Sequence, residues 1–161
     1  AFLKKYEATP LQADAVLQGA MDQAKASGKK VFLHFGAPWC VWCRRLDAWL
    51  ERPDVAPVFA KDYVEVKIDQ DRMPGGKEIE SKFGMPESSG IPWFVIIDPA
   101  TGKGLADATG PKGNIGFPAQ PDEIEHFLSM LQKTRKNLSE SDIAALKSSL
   151  QKPDDGNGAA H

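Results

Sequence analysis

Val31-Phe32-Leu33-His34-Phe35-Gly36-Ala37-Pro38-Trp39-Cys40-Val41-Trp42-Cys43-Arg44-Arg45-Leu46 is the stretch that decides how this chain reads. A run of strand formers leads into a Gly/Pro turn, and a helix-compatible pattern follows the first cysteine. That order predicts the Cys40 sulfur at a helix N-terminus, where the macrodipole favours a thiolate. Cys43 comes one turn later, so the pair can act as a dithiol/disulfide switch. Two inert buried thiols would not need Trp and Pro immediately before them. A zinc site would need two further ligands, and the only histidines are His34, His126 and His161.

The rest of the composition narrows the class. The chain has 161 residues, 42% of them apolar and 26% charged, with a net charge of −2. This suits one soluble domain with a proper core. No basic stripe points to nucleic acid, and no apolar run approaches the roughly 18 residues of a membrane span. Two cysteines cannot build a multi-bridge framework. Residue 1 is Ala, so a signal peptide, a membrane anchor or another leading segment is expected to have been removed. If it was a secretory signal, the compartment is oxidising.

Outward from the cysteine segment, elements alternate. Thr9 and Pro10 predict a helix start, with Leu11 to about Ser27 helical and Gly28 as its stop. Val31–Phe35 reads as a buried strand and Cys43 to about Leu50 as a helix. Pro53 and Pro57 interrupt that helix, and Asp54 is a candidate cap for one further turn. Tyr63–Ile68 alternates as a half-buried strand. Lys77–Phe83 is a short helix, and Ile91–Asp98 a buried strand with Pro92 at its start. A turn at Pro99–Gly102 leads to a weaker strand, about Lys103–Thr109. Gly110–Pro121 reads as a loop, Asp122–Lys133 as a helix, and a last helix is capped by Ser139. A disordered tail is expected over 153–161. The order predicts an α/β fold: a mixed central sheet of about four strands with helices on both faces and extra N-terminal and C-terminal helices. The strands flanking the cysteine helix should be parallel. One domain is expected over 1–152, with its core at about 29–133.

These residues resemble the thioredoxin-like superfamily. Trp39-Cys40-Val41-Trp42-Cys43 after a strand is similar to its W-C-x-x-C signature. Ile91-Pro92 is similar to its Ile-Pro facing the active site, and Gly110 fits a glycine after the fourth core strand. Residues 29–69 are most similar to extracytoplasmic thioredoxin-like domains such as the C-terminal domain of DsbD. The chain departs from thioredoxin at Val41-Trp42, where Gly-Pro is usual, at His34 for a buried Asp, and at Trp93 for Thr.

The resemblance implies Cys40 as attacking nucleophile and Cys43 as resolving thiol. It implies a cis bond before Pro92, and a protein substrate bound across Ile91 and Pro92. His34 takes the place of the buried acid, so it is either a proton-transfer group for Cys43 or a half-buried histidine bonded to backbone or water. Trp39, Trp42 and Trp93 are expected as an apolar substrate-binding collar, with Trp42 and Trp93 partly exposed. Ile115 and Phe117 either extend that surface or pack down. Arg44-Arg45 reads as a solvated helix face or as electrostatic support for the thiolate. Asp69-Gln70-Asp71 meets no calcium-loop pattern.

The expected function is a thiol–disulfide oxidoreductase, in a reductase or isomerase-like direction. Its partners would be protein dithiols or disulfides and a redox partner protein. Neither a metal nor a cofactor beyond the cysteine pair is expected, and the protein is expected to be a monomer in the periplasm or otherwise extracytoplasmic. The alternatives are a non-enzymatic chaperone or assembly module on the same fold, and a soft-metal carrier using both thiolates.

Overall fold

The computed structural model describes residues 11–152. Its elements are α1 (Ala13–Ser27), β1 (Lys30–Gly36), α2 (Val41–Leu50), α3 (Ala56–Phe59), β2 (Tyr63–Asp69), α4 (Gly76–Lys82), β3 (Trp93–Ile97), β4 (Gly104–Asp107), β5 (Thr109–Gly110), β6 (Gly113–Asn114), α5 (Pro121–Thr134) and α6 (Glu140–Gln151). Four strands form one mixed sheet in the order β2-β1-β3-β4. β1 and β2 are parallel, with Val31 beside Val64 and Phe35 beside Ile68. β3 runs antiparallel to β1, with Phe35 beside Trp93 and His34 beside Phe94. The fold is the expected mixed α/β architecture. Among the described residues, no helix is long and apolar enough to cross a membrane.

Strand parity sorts the side chains of β1 between two layers. Phe32, His34 and Gly36 share the face under α2. There Phe32 packs edge-on against Phe59 and Phe127, and Trp49 of α2 meets Phe127 at 5.6 Å between ring centroids. Val31, Leu33 and Phe35 point to the other side, and α1 packs on β1 and β2. The buried residues of α1, Ala13, Leu17, Ala20 and Ala24, recur at helical spacing and form one stripe. Each large side chain buried this way contributes about 1.5–3 kcal/mol of apolar transfer free energy.

Boundaries differ from expectation where non-local contacts intervene. α1 starts at Ala13, with Gln12 at its N-cap, because the Ala13 N–H donates to the Pro74 carbonyl (2.9 Å). The expected Thr9 cap and Pro10 lie outside the described residues, as does the tail from 153. Gly28 ends α1 as expected, at φ +71°, a conformation that suits glycine. Asp54 does not cap α3: Arg52 holds both its oxygens, and Val55 occupies the N-cap. The stretch after Gly110 is not wholly loop, since β5 and β6 pair as a small ribbon around Pro111–Lys112.

The last two helices are fastened by one buried carboxylate. Asp62, just before β2, accepts N–H bonds from Lys136, Asn137 and Leu138 at 2.8–2.9 Å. Ser139 then caps α6, accepting from the Asp142 N–H while the Asp142 carboxylate accepts from its own N–H. Burial pushes the Asp62 carboxyl up, but those N–H donors and the Lys30 charge outweigh it and hold the group below its ordinary value. Replacing Asp62 with Asn keeps the size and loses the charge. Asp62→Asn is expected to lower unfolding free energy by about 2 kcal/mol at pH 7 in urea titrations. A folded pKa below the unfolded one gives full stabilisation above about pH 4 and loses it as pH falls through the folded value. The gap between wild type and variant should therefore close on the acid side; equal urea midpoints at pH 7 would refute this role.

Candidate active site

The turn between β1 and α2 brings the cysteines together. Cys40 is the N-cap of α2, with extended backbone (φ −90°, ψ 114°), and its sulfur accepts the Cys43 N–H at 3.2 Å. The helix thus directs a backbone donor and its positive end at this sulfur. Across the turn, Cys40 Sγ lies 3.6 Å from the Ile91 carbonyl oxygen. The Ile91–Pro92 peptide is cis. Both cysteines are free thiols with little exposure, Cys40 at 7% and Cys43 at 4%.

Cys43 lies directly under the end of β1. A Cβ added to Gly36 would sit 3.2 Å from both Cβ and Sγ of Cys43, so this position accepts no larger side chain without a shift. Burial, followed by hydrogen bonding with Cys40 and the nearby Cys40 and Asp47 charges, pushes the Cys43 thiol up to about 12. The sequence marks Gly36 only as part of a turn; its closeness to Cys43 is a tertiary fact.

His34 is two residues back from Gly36 on the same face. It is 1% exposed, not half-buried, and its partners are carboxylates rather than backbone or water. Nε2 is hydrogen-bonded to Glu65 Oε2 on β2. Nδ1 faces Asp47 Oδ1 at 3.9 Å, one turn beyond Cys43 on α2. Lys67 ion-pairs with the other Asp47 oxygen at 2.7 Å. Burial pushes Glu65 up, but the His34 hydrogen bond and charge, with Lys67, leave its carboxyl below the ordinary value. Sequence reading missed Glu65 and Asp47; the alternation Tyr63-Val64-Glu65-Val66 places Glu65 on a polar face but cannot say that His34 lies beside it.

The expected collar is only partly assembled. Trp39 and Trp42 are 65% and 46% exposed. Trp39 donates its indole N–H to Asp71 (2.6 Å), and Trp42 stacks on Phe117 with centroids 6.1 Å apart. Trp93 is not part of it. It is fully buried, and its cross-strand partner Phe35 points away from the face of Gly36 and Cys43. Strand parity thus sends the Trp93 indole to the opposite layer, where its N–H donates to Thr109 Oγ1 (2.9 Å) and is satisfied without solvent. Asn114, on β6, was not singled out by sequence. Its side-chain amide donates to the carbonyls of Gly90 (2.9 Å) and Pro92 (3.0 Å), fixing the segment that faces Cys40. Among the described residues, no group of three or more His, Cys, Asp or Glu is arranged to hold a metal ion.

The chain is similar to known proteins. A family model described as thioredoxin-like matches residues 12–99. The crystal structure of a disulphide isomerase from Xylella fastidiosa Temecula1 is 32% identical, with a TM-score of 0.53 over 59% of this chain and 72% of that one. Thiol:disulfide interchange protein DsbD of Pseudomonas fluorescens is 31% identical over 91 residues, covering 53% of this chain and 15% of its own. Human spermatogenesis-associated protein 20 is 29% identical over 77 residues, covering 47% and 10% respectively. The chain thus spans a small part of the curated relatives it matches. The fold and the adjacent Cys40 and Cys43 together support thiol–disulfide exchange in general. On the match to residues 12–99 and the geometry around the cysteines, the chain belongs to the thioredoxin-like family.

Proposed function

We propose that the chain exchanges disulfides with protein substrates through Cys40 and Cys43, in a reductase or isomerase-like direction. The observation that carries this is the Cys40 sulfur at the α2 N-cap, with the Cys43 N–H aimed at it and the Ile91 carbonyl opposite. In the reductive direction, the Cys40 thiolate attacks a substrate disulfide. A Cys40–substrate bond forms, the substrate S–S bond breaks, and the departing sulfur takes a proton. Cys43, once deprotonated, attacks Cys40 Sγ, forms the Cys40–Cys43 disulfide and releases the second substrate thiolate. Two electrons pass from the pair to the substrate, and a redox partner's dithiol returns them. An extracytoplasmic location belongs to the same proposal, supported by the likeness to DsbD.

The second step needs a base. Burial pushes the Cys43 thiol up, so little of it is ionised near neutral pH. Forming the mixed disulfide removes the Cys40 contributions but leaves burial and Asp47. In this proposal His34 and Asp47 receive the Cys43 proton, and Glu65, whose side chain is 41% exposed, passes it to solvent. Imidazole suits this task because it exchanges protons near neutral pH.

Insulin reduction driven by dithiothreitol tests the exchange. Cys40→Ser is expected to abolish the acceleration over dithiothreitol alone, whereas Cys43→Ser, pre-reduced and freed of dithiothreitol before mixing with insulin, should accumulate a mixed disulfide visible on non-reducing gels; insulin reduction by Cys40→Ser at the wild-type rate would sink the proposal. The proton path predicts a difference in pH dependence. In His34→Ala, resolution of the mixed disulfide should rise about tenfold per pH unit between pH 6 and 9, as expected for attack that awaits ionisation of a high-pKa thiol. Wild type should rise less steeply. Parallel profiles in stopped-flow measurements, with both proteins folded by circular dichroism, would remove His34 from the path.

A further inference from the structure

The surface around Cys40 carries an uneven distribution of apolar and cationic groups. Four large apolar side chains are exposed among the described residues, and three of them, Trp39, Val41 and Trp42, lie within two residues of Cys40. The two tryptophans are held in place. Trp39 is tied to Asp71, and Trp42 is stacked on Phe117. An aromatic surface already ordered before binding loses little side-chain entropy when a partner settles on it.

The chain has five arginines. Arg52, Arg72 and Arg135 each pair with a carboxylate. Arg44 and Arg45, directly after Cys43, form no ion pair among the described residues. They are nonetheless held. Arg44 donates to the Pro38 carbonyl at 2.9 Å, on the loop that leads to Cys40. The Arg45 guanidinium lies over the Trp42 ring, 4.6 Å from its centroid. A guanidinium stacked on an indole engages its face and leaves its in-plane N–H groups available to an acceptor. The two arginines without a carboxylate partner among the described residues therefore stand on the first turn of α2, beside the apolar platform.

We propose that this surface docks polypeptides whose exchanging cysteine is flanked by acidic residues and an apolar or aromatic side chain. The apolar side chain lies on Trp42 and Phe117, and the carboxylates meet Arg44 and Arg45. Charge complementarity selects this occupant over a neutral or basic segment, which would leave both guanidiniums unmatched. The proposal rests on Cys40 as the exchanging thiol and assigns that site a substrate class.

Two synthetic peptides test it. They share one intramolecular disulfide and one tryptophan, and differ only in flanking the cysteines with Glu or with Lys. Each kcat/KM is divided by the peptide's rate with dithiothreitol alone, which removes intrinsic reactivity. Wild type should favour the Glu peptide about tenfold at low salt, with the ratio falling towards one at high ionic strength. In the double variant R44Q/R45Q the ratio should fall to near one at all salt concentrations. Equal normalised rates with wild type would overturn the docking proposal and leave the exchange reading intact. If both rates drop in the variant while the ratio persists, the arginines act on the Cys40 thiolate, and the docking proposal also fails. If wild type reduces neither peptide, the exchange reading itself fails.

Discussion

β1 has no free side, and the molecule follows from that constraint. One edge pairs with β2, the other with β3, and helices cover both faces. A strand so enclosed must assign each residue to a layer, because successive side chains point opposite ways. The layer under α2 receives Phe32, His34 and Gly36. Gly36 is small where Cys43 presses against the strand, His34 reaches Asp47 on α2 and Glu65 on β2, and Phe32 joins the aromatic core. The other layer takes Val31, Leu33 and Phe35, and the same parity places Trp93 among them. A one-residue slip of β1 would put Phe35 against Cys43 and expel His34 from its carboxylates.

Local sequence disclosed most of the fold for a physical reason. The Gly28 stop, the Ser139 cap, the alternation of Tyr63–Ile68 and the turn before Cys40 depend on residues within one turn of each other. Pro92 and the cysteine pair were legible because few structures need those residues at those places. What stayed hidden was set by pairing between distant segments. Asp62 carries no mark that it binds the backbone at Lys136–Leu138, 74 to 76 positions away. Glu65 becomes the partner of His34 only once β2 lies beside β1 in a particular register. Trp93 looked like part of a surface collar because it adjoins Pro92, yet adjacency along an extended strand means opposite faces.

The polar groups around the cysteines are divided by depth. Near the surface, Arg44, Arg45 and the Trp39 indole fix the loop and the first turn of α2. Beneath them, His34, Glu65, Asp47 and Lys67 form a continuous polar cluster beside the aromatic core. Such a cluster is costly unless each charge is matched, and here each carboxylate has a cationic or imidazole neighbour. The fold thus sets the Cys40 sulfur at the helix N-cap and the more deeply buried Cys43 on the face of the sheet that also carries His34.

The four tryptophans divide in the same way. Trp49 and Trp93 are sealed in opposite layers of the core, each with its indole N–H bonded to a hydroxyl, on Ser149 and Thr109 respectively. Trp39 and Trp42 stand in solvent beside Cys40. Indole emission shifts to shorter wavelength in apolar surroundings and is altered by neighbouring sulfur. The protein therefore carries two optical reporters without any label. A red-side component follows events at the cysteine pair, and a blue-side component follows the integrity of the two core layers.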